Sequence, residues 1–220
     1  TGNTRSYSAS VGTSFSITRG RNGFAFESAG NFGRAVPAGG TQYATNAKNL
    51  LSRARYDFFV STRNALFASL AHRWDTFSGL DTRIQAQVGY QYNFIREEHH
   101  RLWTEVGYDF TFDNLVQVRD AVDPTILTPA DDTTTYHSAR AFFGWENQLN
   151  EHVQYKTGLE ALFNVQVGQD WRLNWTNTFN ASISSKLSLE IKFNVLYDNQ
   201  PVQGFRTTDT RTTINLVLDM

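Results

Sequence analysis

From Thr82 to Phe94 the chain reads TRIQAQVGYQYNF, an alternation of apolar and polar residues. Ile84, Ala86, Val88, Tyr90, Tyr92 and Phe94 take one set of positions; Arg83, Gln85, Gln87, Gln91 and Asn93 take the other. Successive side chains of a β-strand point to opposite faces, so this period of two predicts a strand with one apolar and one strongly polar face. The pattern returns at Tyr7, Ala9, Val11, Phe15, Ile17; at Leu102, Val106, Tyr108, Phe110, Phe112; and at Val153, Tyr155, Leu159, Ala161, Phe163, Val165. It continues at Trp171, Leu173, Trp175, Phe179, Ala181, Ile183; at Leu187, Leu189, Ile191, Phe193, Val195, Tyr197; and at Ile214, Leu216, Leu218, Met220. No segment of comparable length carries helical spacing, so the chain is expected to be all-β.

Length separates two all-β architectures. The runs here are about 11–14 residues, against roughly 5–6 for a soluble sandwich strand and roughly 9–11 for a tilted membrane strand. Phe, Tyr and Trp make up 14% of the chain and concentrate near the ends of the apolar runs, as girdles at two bilayer interfaces would. The expectation is an antiparallel transmembrane β-barrel, a single domain over residues 1–220, in preference to a long-stranded soluble barrel or sandwich.

Composition removes other classes. The chain is 40% hydrophobic and 19% charged, yet it has no uninterrupted apolar stretch of the roughly 20 residues that a spanning helix needs. A net charge of −1 gives no bulk field for nucleic acid, and the absence of Cys excludes a disulfide scaffold or a thiolate zinc site.

Connections alternate in length. Short links fall at Arg19 to Asn22, Ser61 to Asn64, Arg96 to His100, Asn150 to His152 and Ser184 to Lys186. Longer ones run from Val36 to Thr45, Thr76 to Leu80, Asn114 to Thr135, Gln166 to Asp170 and Asn199 to Thr208. Outer-membrane barrels keep periplasmic turns short and outer loops long. About eleven strands are readable, whereas bacterial single-chain barrels have an even number. Two explanations stay open: a first strand preceding Thr1, giving a barrel of about 12 strands, or an odd-stranded barrel closed by a parallel pair. The only Met is the last residue, in keeping with a processed chain that has shed a signal peptide.

Several stretches resemble the salt-induced outer-membrane protein family, a domain of unknown function in Gram-negative bacteria. They are Thr1-Gly2-Asn3-Thr4 with the alternating Ser that follow, Arg55-Tyr56-Asp57 at a strand end, Arg73-Trp74-Asp75-Thr76-Phe77-Ser78-Gly79-Leu80-Asp81-Thr82-Arg83, and Asp209-Thr210-Arg211-Thr212-Thr213. The similarity covers nearly the whole chain, and its distinctive part is the Asp-x-Phe-x-Gly-Leu-Asp-x-Arg stretch. The resemblance implies an outer-membrane barrel without an assigned biochemical role, and it carries over no catalytic residues. One departure is the ending Leu218-Asp219-Met220, where many outer-membrane barrels finish on an aromatic residue.

In a barrel the polar face becomes the lumen, because charge on the lipid face costs about 2–4 kcal/mol near the midplane. Arg53, Arg55, Arg73, Arg83, Arg101, Arg140, Lys156, Arg172, Lys192 and Arg211 fall on it. So do Glu27, Asp57, Asp75, Asp81, Glu105, Asp109, Glu146, Glu160, Glu190 and Asp219. Two readings follow: a salt-bridged plug that braces the wall, or a narrow pore. The mixed signs argue against strong ion selectivity, which single-sign rings provide. Gly89, Gly107, Gly144 and Gly158 share this face and are expected to make room for long neighbours.

Enzymatic machinery is not expected. His99, His100 and His152 lie in turns, and His72 sits near the outer rim. His137 and Ser138 are neighbours in a strand and so point apart. Asp120, Asp123, Asp131 and Asp132 lack the spacing of a calcium loop. No cofactor and no metal site are expected. The expected partners are lipopolysaccharide and phospholipid of the outer membrane of a Gram-negative bacterium. Open alternatives are an anchor or subunit of a larger envelope assembly, with Ser28 and Gly30 as an approach surface, and an outer-membrane lipid hydrolase.

Overall fold

The computed structural model describes residues 6–36, 42–75, 80–119, 127–128, 131–201 and 206–218. The strands are β1 (Ser6–Arg19), β2 (Asn22–Ala35), β3 (Ala44–Phe59), β4 (Asn64–Asp75), β5 (Leu80–Arg96) and β6 (His100–Leu115). They continue with β7 (Val118–Arg119), β8 (Leu127–Thr128), β9 (Thr133–Asn150), β10 (Val153–Asn164), β11 (Trp171–Ser182), β12 (Leu187–Asp198) and β13 (Thr208–Leu218). Eleven of them form one sheet in chain order, and β7 and β8 make a separate antiparallel pair. Two compact units are distinguished, one within Thr1–Tyr56, Ala68–Ala86 and Phe110–Tyr136, the other within Asp57–Phe67, Gln87–Asp109 and His137–Met220.

Register follows from the alternation. In the first unit Phe15 lies opposite Phe26 and Ile17 opposite Phe24. In the second, Leu159 of β10 stands between Phe143 of β9 and Trp175 of β11, while its neighbour Glu160 stands between Phe142 and Asn174. A slip of one residue would exchange the two faces of a strand, so the pattern fixes the pairing.

The tight connections use local chemistry. Gly20 opens the two-residue link between β1 and β2 with φ of 59°, the left-handed region that glycine enters without a steric penalty. Between β3 and β4, Ser61 Oγ accepts from the Asn64 backbone N–H at 3.1 Å and from Asn64 Nδ2 at 2.7 Å. Asn150 Oδ1 accepts from the N–H groups of His152 and Val153 at 2.9 and 3.0 Å, closing the link from β9 to β10. Asn164 braces the longer link after β10: its Nδ2 donates to Asp170 Oδ2 at 2.7 Å and its backbone N–H to Asp170 O at 3.0 Å.

Several strands exceed the expected length. β3 and β6 have 16 residues, β5 has 17 and β9 has 18. Backbone pairing needs no apolar side chain, so it continues through polar ends such as Asp113-Asn114 and Gln148-Leu149-Asn150, where alternation no longer marks it. The expected loop from Asn114 to Thr135 is correspondingly shorter and contains the β7 and β8 pair.

Burial is the reverse of that in a water-soluble domain. Among the described residues, the buried apolar side chains are Ala65, Phe67, Ala71, Leu80, Trp103 and Leu162. The buried polar ones are far more numerous and include Asp75, Gln87, Gln91, Asn93, Glu105, Asp109, Asp113, Arg140, Glu160 and Arg172. Val11, Val88, Phe94, Val106, Phe163, Ile214 and Leu216 stand exposed. In the second unit the packed interior is therefore on the polar side of the strands.

Candidate functional site

The densest polar cluster centres on Arg140 of β9. Its Nε donates to Glu160 Oε1 of β10 at 2.6 Å, and its Nη1 to Glu105 Oε2 of β6 at 2.7 Å. Arg140, Glu105 and Glu160 are only 6%, 2% and 8% exposed. Gln87 Nε2 of β5 donates to Glu160 Oε1 at 3.1 Å and to Asp109 Oδ2 at 2.8 Å, and Asn174 Nδ2 of β11 reaches Glu160 Oε2 at 2.8 Å. One guanidinium thus serves two carboxylates, while neutral amides satisfy further lone pairs. Burying ions is tolerable only with such pairing and hydrogen bonding.

Aromatic rings wall this cluster. The Arg140 guanidinium carbon lies 5.3 Å from the Phe67 ring centroid and 5.2 Å from that of Phe142. Trp103 and Phe142 have ring centroids 6.0 Å apart, and Arg101 stacks over Trp103 at 4.4 Å. The rings fit because glycine lies beneath them. A Cβ on Gly158 would come within 2.9 Å of Phe142 Cζ, one on Gly89 within 2.8 Å of Phe67, and one on Gly144 within 2.3 Å of the Trp103 indole. The expected long neighbours are aromatic rather than charged at Gly144, Gly158 and Gly89, and at Gly107 the expectation fails: a Cβ there would meet only backbone, Val88 O at 2.3 Å first, just as Val106 O lies 2.4 Å from one on Gly89.

The remaining predicted residues divide into pairs and outliers. Arg83 grips Asp113 with both prongs, Nε to Oδ1 at 2.6 Å and Nη2 to Oδ2 at 2.5 Å. Asp81 is exposed at the start of β5 and accepts from Asn114 Nδ2 at 3.1 Å. Arg73 and Asp75, two apart on β4, pair at 3.1 Å. Arg53 meets Glu27 at 3.6 Å, Lys156 meets Glu146 at 3.7 Å and Lys192 meets Glu190 at 4.0 Å, all longer and more exposed. Arg55 and Asp57 follow Arg53 at alternate positions of β3 and are half-buried. Arg101 Nε donates to Asn93 Oδ1 at 3.4 Å. Arg172 is buried in register with Asp198, and Arg211 is exposed opposite Asn194. Asp219 lies outside the described residues, as do Asp120 and Asp123.

His137 and Ser138 do lie apart. Ser138 is buried, whereas His137 Nδ1 shares a hydrogen bond with the Tyr108 hydroxyl on the apolar face. Ser28 Oγ is 2.8 Å from Ser52 Oγ, and a Cβ on Gly30 would meet only ordinary contacts. Among the described residues, no three His, Cys, Asp or Glu are grouped to hold a metal ion.

Phe67, Trp103, Phe142 and Leu162 escape a search for alternation because each is an apolar residue on the polar face. A signal was available: Leu66-Phe67, Leu102-Trp103, Phe142-Phe143 and Leu162-Phe163 are adjacent apolar pairs in alternating strands. One member of each must face the polar side. Asn177 is the converse, a buried amide at an apolar-face position, whose Oδ1 accepts from Tyr155 Oη at 2.6 Å and Thr157 Oγ1 at 3.0 Å.

Known proteins place this architecture. The fold is similar to that of a solved NanC porin in a rhombohedral crystal form, with a TM-score of 0.54 and 8% identity over 96% of this chain and 99% of that chain. At that identity the likeness shows the fold, an antiparallel β-barrel of porin type, as the alternation predicts. None of the curated proteins matches the sequence. Residues 1–220 match the family described as "Protein of unknown function, DUF481", and the chain belongs to that family.

Proposed function

We propose that the protein is an integral outer-membrane β-barrel of the Gram-negative envelope, one domain over residues 1–220, with a structural or narrow-pore role and no catalytic activity. The salt-induced family name suggested by the Asp75 to Arg83 stretch belongs to this reading. Its surroundings are then lipopolysaccharide and phospholipid. The observation that carries it is the Arg140 cluster, where a guanidinium and two carboxylates are almost wholly withdrawn from solvent and capped by Phe67 and Phe142. A wide aqueous passage would leave such groups hydrated; packing them against each other and against rings suits a braced interior. Exposed Val, Phe and Leu on the opposite strand face suit hydrocarbon rather than water.

The alternative reading is an anchor or subunit of a larger envelope assembly. The hydrolase alternative has less support, since His137 and Ser138 cannot exchange a proton across the sheet.

Single-channel recording of the purified protein in planar bilayers tests the main reading. Silence or small, weakly selective steps are expected. Large steady steps would overturn the packed interior, and phospholipid turnover by the same preparation would overturn the non-catalytic assignment.

A further inference from the structure

On the apolar alternation of β1 to β4 Arg19 stands at the short-turn end, while two cations, Arg34 and Lys48, gather at the other end. Arg34 lies in register with Tyr7 across the β1 and β2 pair, close to the end of β2 that leads into a longer connection. Its Nη2 donates to Tyr43 O at 2.9 Å, and its Nε is buried with no hydrogen-bond partner. The rings of Tyr7 and Tyr43 approach with centroids 5.5 Å apart. Asn31 Nδ2 bonds Asn49 Oδ1 and Ser28 Oγ bonds Ser52 Oγ, which places Phe32 opposite Lys48 and Arg34 one alternate position beyond. Lys48 Nζ rests over the Trp74 ring at 4.8 Å, and exposed His72 is two residues before Trp74 on the same strand.

Among the described residues, the same face of these strands holds no acid to answer these cations. Its described positions on β2 to β4 are Asn22, Phe24, Phe26, Ser28, Gly30 and Phe32; Ala44, Leu50, Ser52, Ala54, Tyr56 and Phe58; Asn64, Leu66, Ala68 and Leu70, besides the residues just named. The acids of these strands, Glu27, Asp57 and Asp75, occupy the other alternation. Two cations without carboxylates, set among Tyr and Trp at the margin of an apolar surface, complement an anionic headgroup whose tails cover that surface.

We propose that Arg34 and Lys48, flanked by Tyr7, Tyr43 and Trp74, bind the phosphate of a phosphorylated outer-leaflet glycolipid. The site rests on the outer-membrane reading, because only there do long-loop ends meet such a lipid. Arg34 supplies a permanent positive charge held in place by the Tyr43 carbonyl, and Lys48 a point charge held by its ring contact.

The test uses wild type, the double variant Arg34→Gln with Lys48→Gln, and Arg96→Gln as a cation at the short-turn end, where Arg96 stacks on Phe59. Each is reconstituted into phosphatidylcholine vesicles for flotation and titrated in detergent with lipid A, dephosphorylated lipid A and inorganic phosphate, with binding read by native mass spectrometry. All three proteins should float. The double variant should lose about tenfold or more in lipid A affinity, the yield of two charge-assisted contacts. Arg96→Gln should bind like wild type, and dephosphorylated lipid A should bind wild type no better than the double variant. Equal lipid A binding by wild type and the double variant overturns the site, as does an equal loss in Arg96→Gln. Full displacement by inorganic phosphate would assign the site to the free anion and overturn the lipid. Failure of wild type to float would overturn the membrane reading itself.

Discussion

Trp103 and Gly144 interlock: the indole occupies the space that any side chain at position 144 would need. The two residues come from β6 and β9, strands that are sheet neighbours although β7, β8 and their connections separate them in the chain. The contact seats Trp103 beside Phe142, whose ring lies against the Arg140 guanidinium. Steric fit and charge pairing thus meet in one cluster.

Gly144→Ala should therefore destabilise the protein by about 1–3 kcal/mol, the cost of overpacking a filled interior. Adding Trp103→Ala should remove the clash, so the double variant should be less destabilised than the sum of the two single changes. Denaturant unfolding in detergent, followed by tryptophan fluorescence or gel mobility, measures this. Strict additivity would contradict the interlock.

Arg140→Met removes the cation that Glu105 and Glu160 share. Stripping one partner from a buried pair costs about 3–5 kcal/mol, whereas replacing all members with apolar residues is often neutral or better. Arg140→Met should lower the unfolding midpoint sharply, and the triple variant with Glu105→Leu and Glu160→Leu should recover much of the loss. A single variant as stable as wild type would show that the cluster contributes nothing.

Geometry ranks the other pairs. Asp113→Asn weakens the two-pronged grip of Arg83, whose carboxylate is almost fully buried, and should cost about 1–2 kcal/mol after allowance for the partly exposed guanidinium. Glu27→Gln touches a 3.6 Å pair with both side chains exposed and should cost at most about 0.5 kcal/mol. Equal losses would contradict the ranking, and unfolding midpoints in low and high salt separate the two.

Val88 lies at the middle of β5 on the apolar face and is 54% exposed. On a protein surrounded by water, Val88→Arg would be almost neutral. Facing hydrocarbon near the midplane, it should cost about 2–4 kcal/mol. Reversible folding into lipid vesicles gives the difference directly, and a neutral result would remove the lipid from that face.

Much of this was legible because a two-residue period carries both secondary structure and orientation. Thr82 to Phe94 displays its strand, its two faces and the positions of Gln87 and Gln91 without any knowledge of neighbours. Strand ends were less legible, since Asp113 and Asn150 are paired by backbone groups that polarity does not reveal. The hub role of Arg140 was not legible: Arg140, Glu105 and Glu160 come from β9, β6 and β10, and their meeting depends on which strands become neighbours and in what register. The aromatic lining was hidden for a related reason, because Phe67 and Trp103 break the alternation, and their supporting glycines lie on other strands or far along the chain.

The chain contains no Cys, so single Cys substitutions along β5 can carry a nitroxide label without background. In lipid vesicles, collision rates with oxygen, which concentrates in hydrocarbon, and with a water-soluble nickel chelate distinguish lipid, water and packed protein. Labels at Ile84, Val88, Tyr90 and Phe94 should collide with oxygen and hardly with nickel. Labels at Gln87, Gln91 and Asn93 should be shielded from both. Strong nickel collisions at the second set would mean an open aqueous interior, and strong nickel collisions at the first would mean that the apolar face is not in lipid at all.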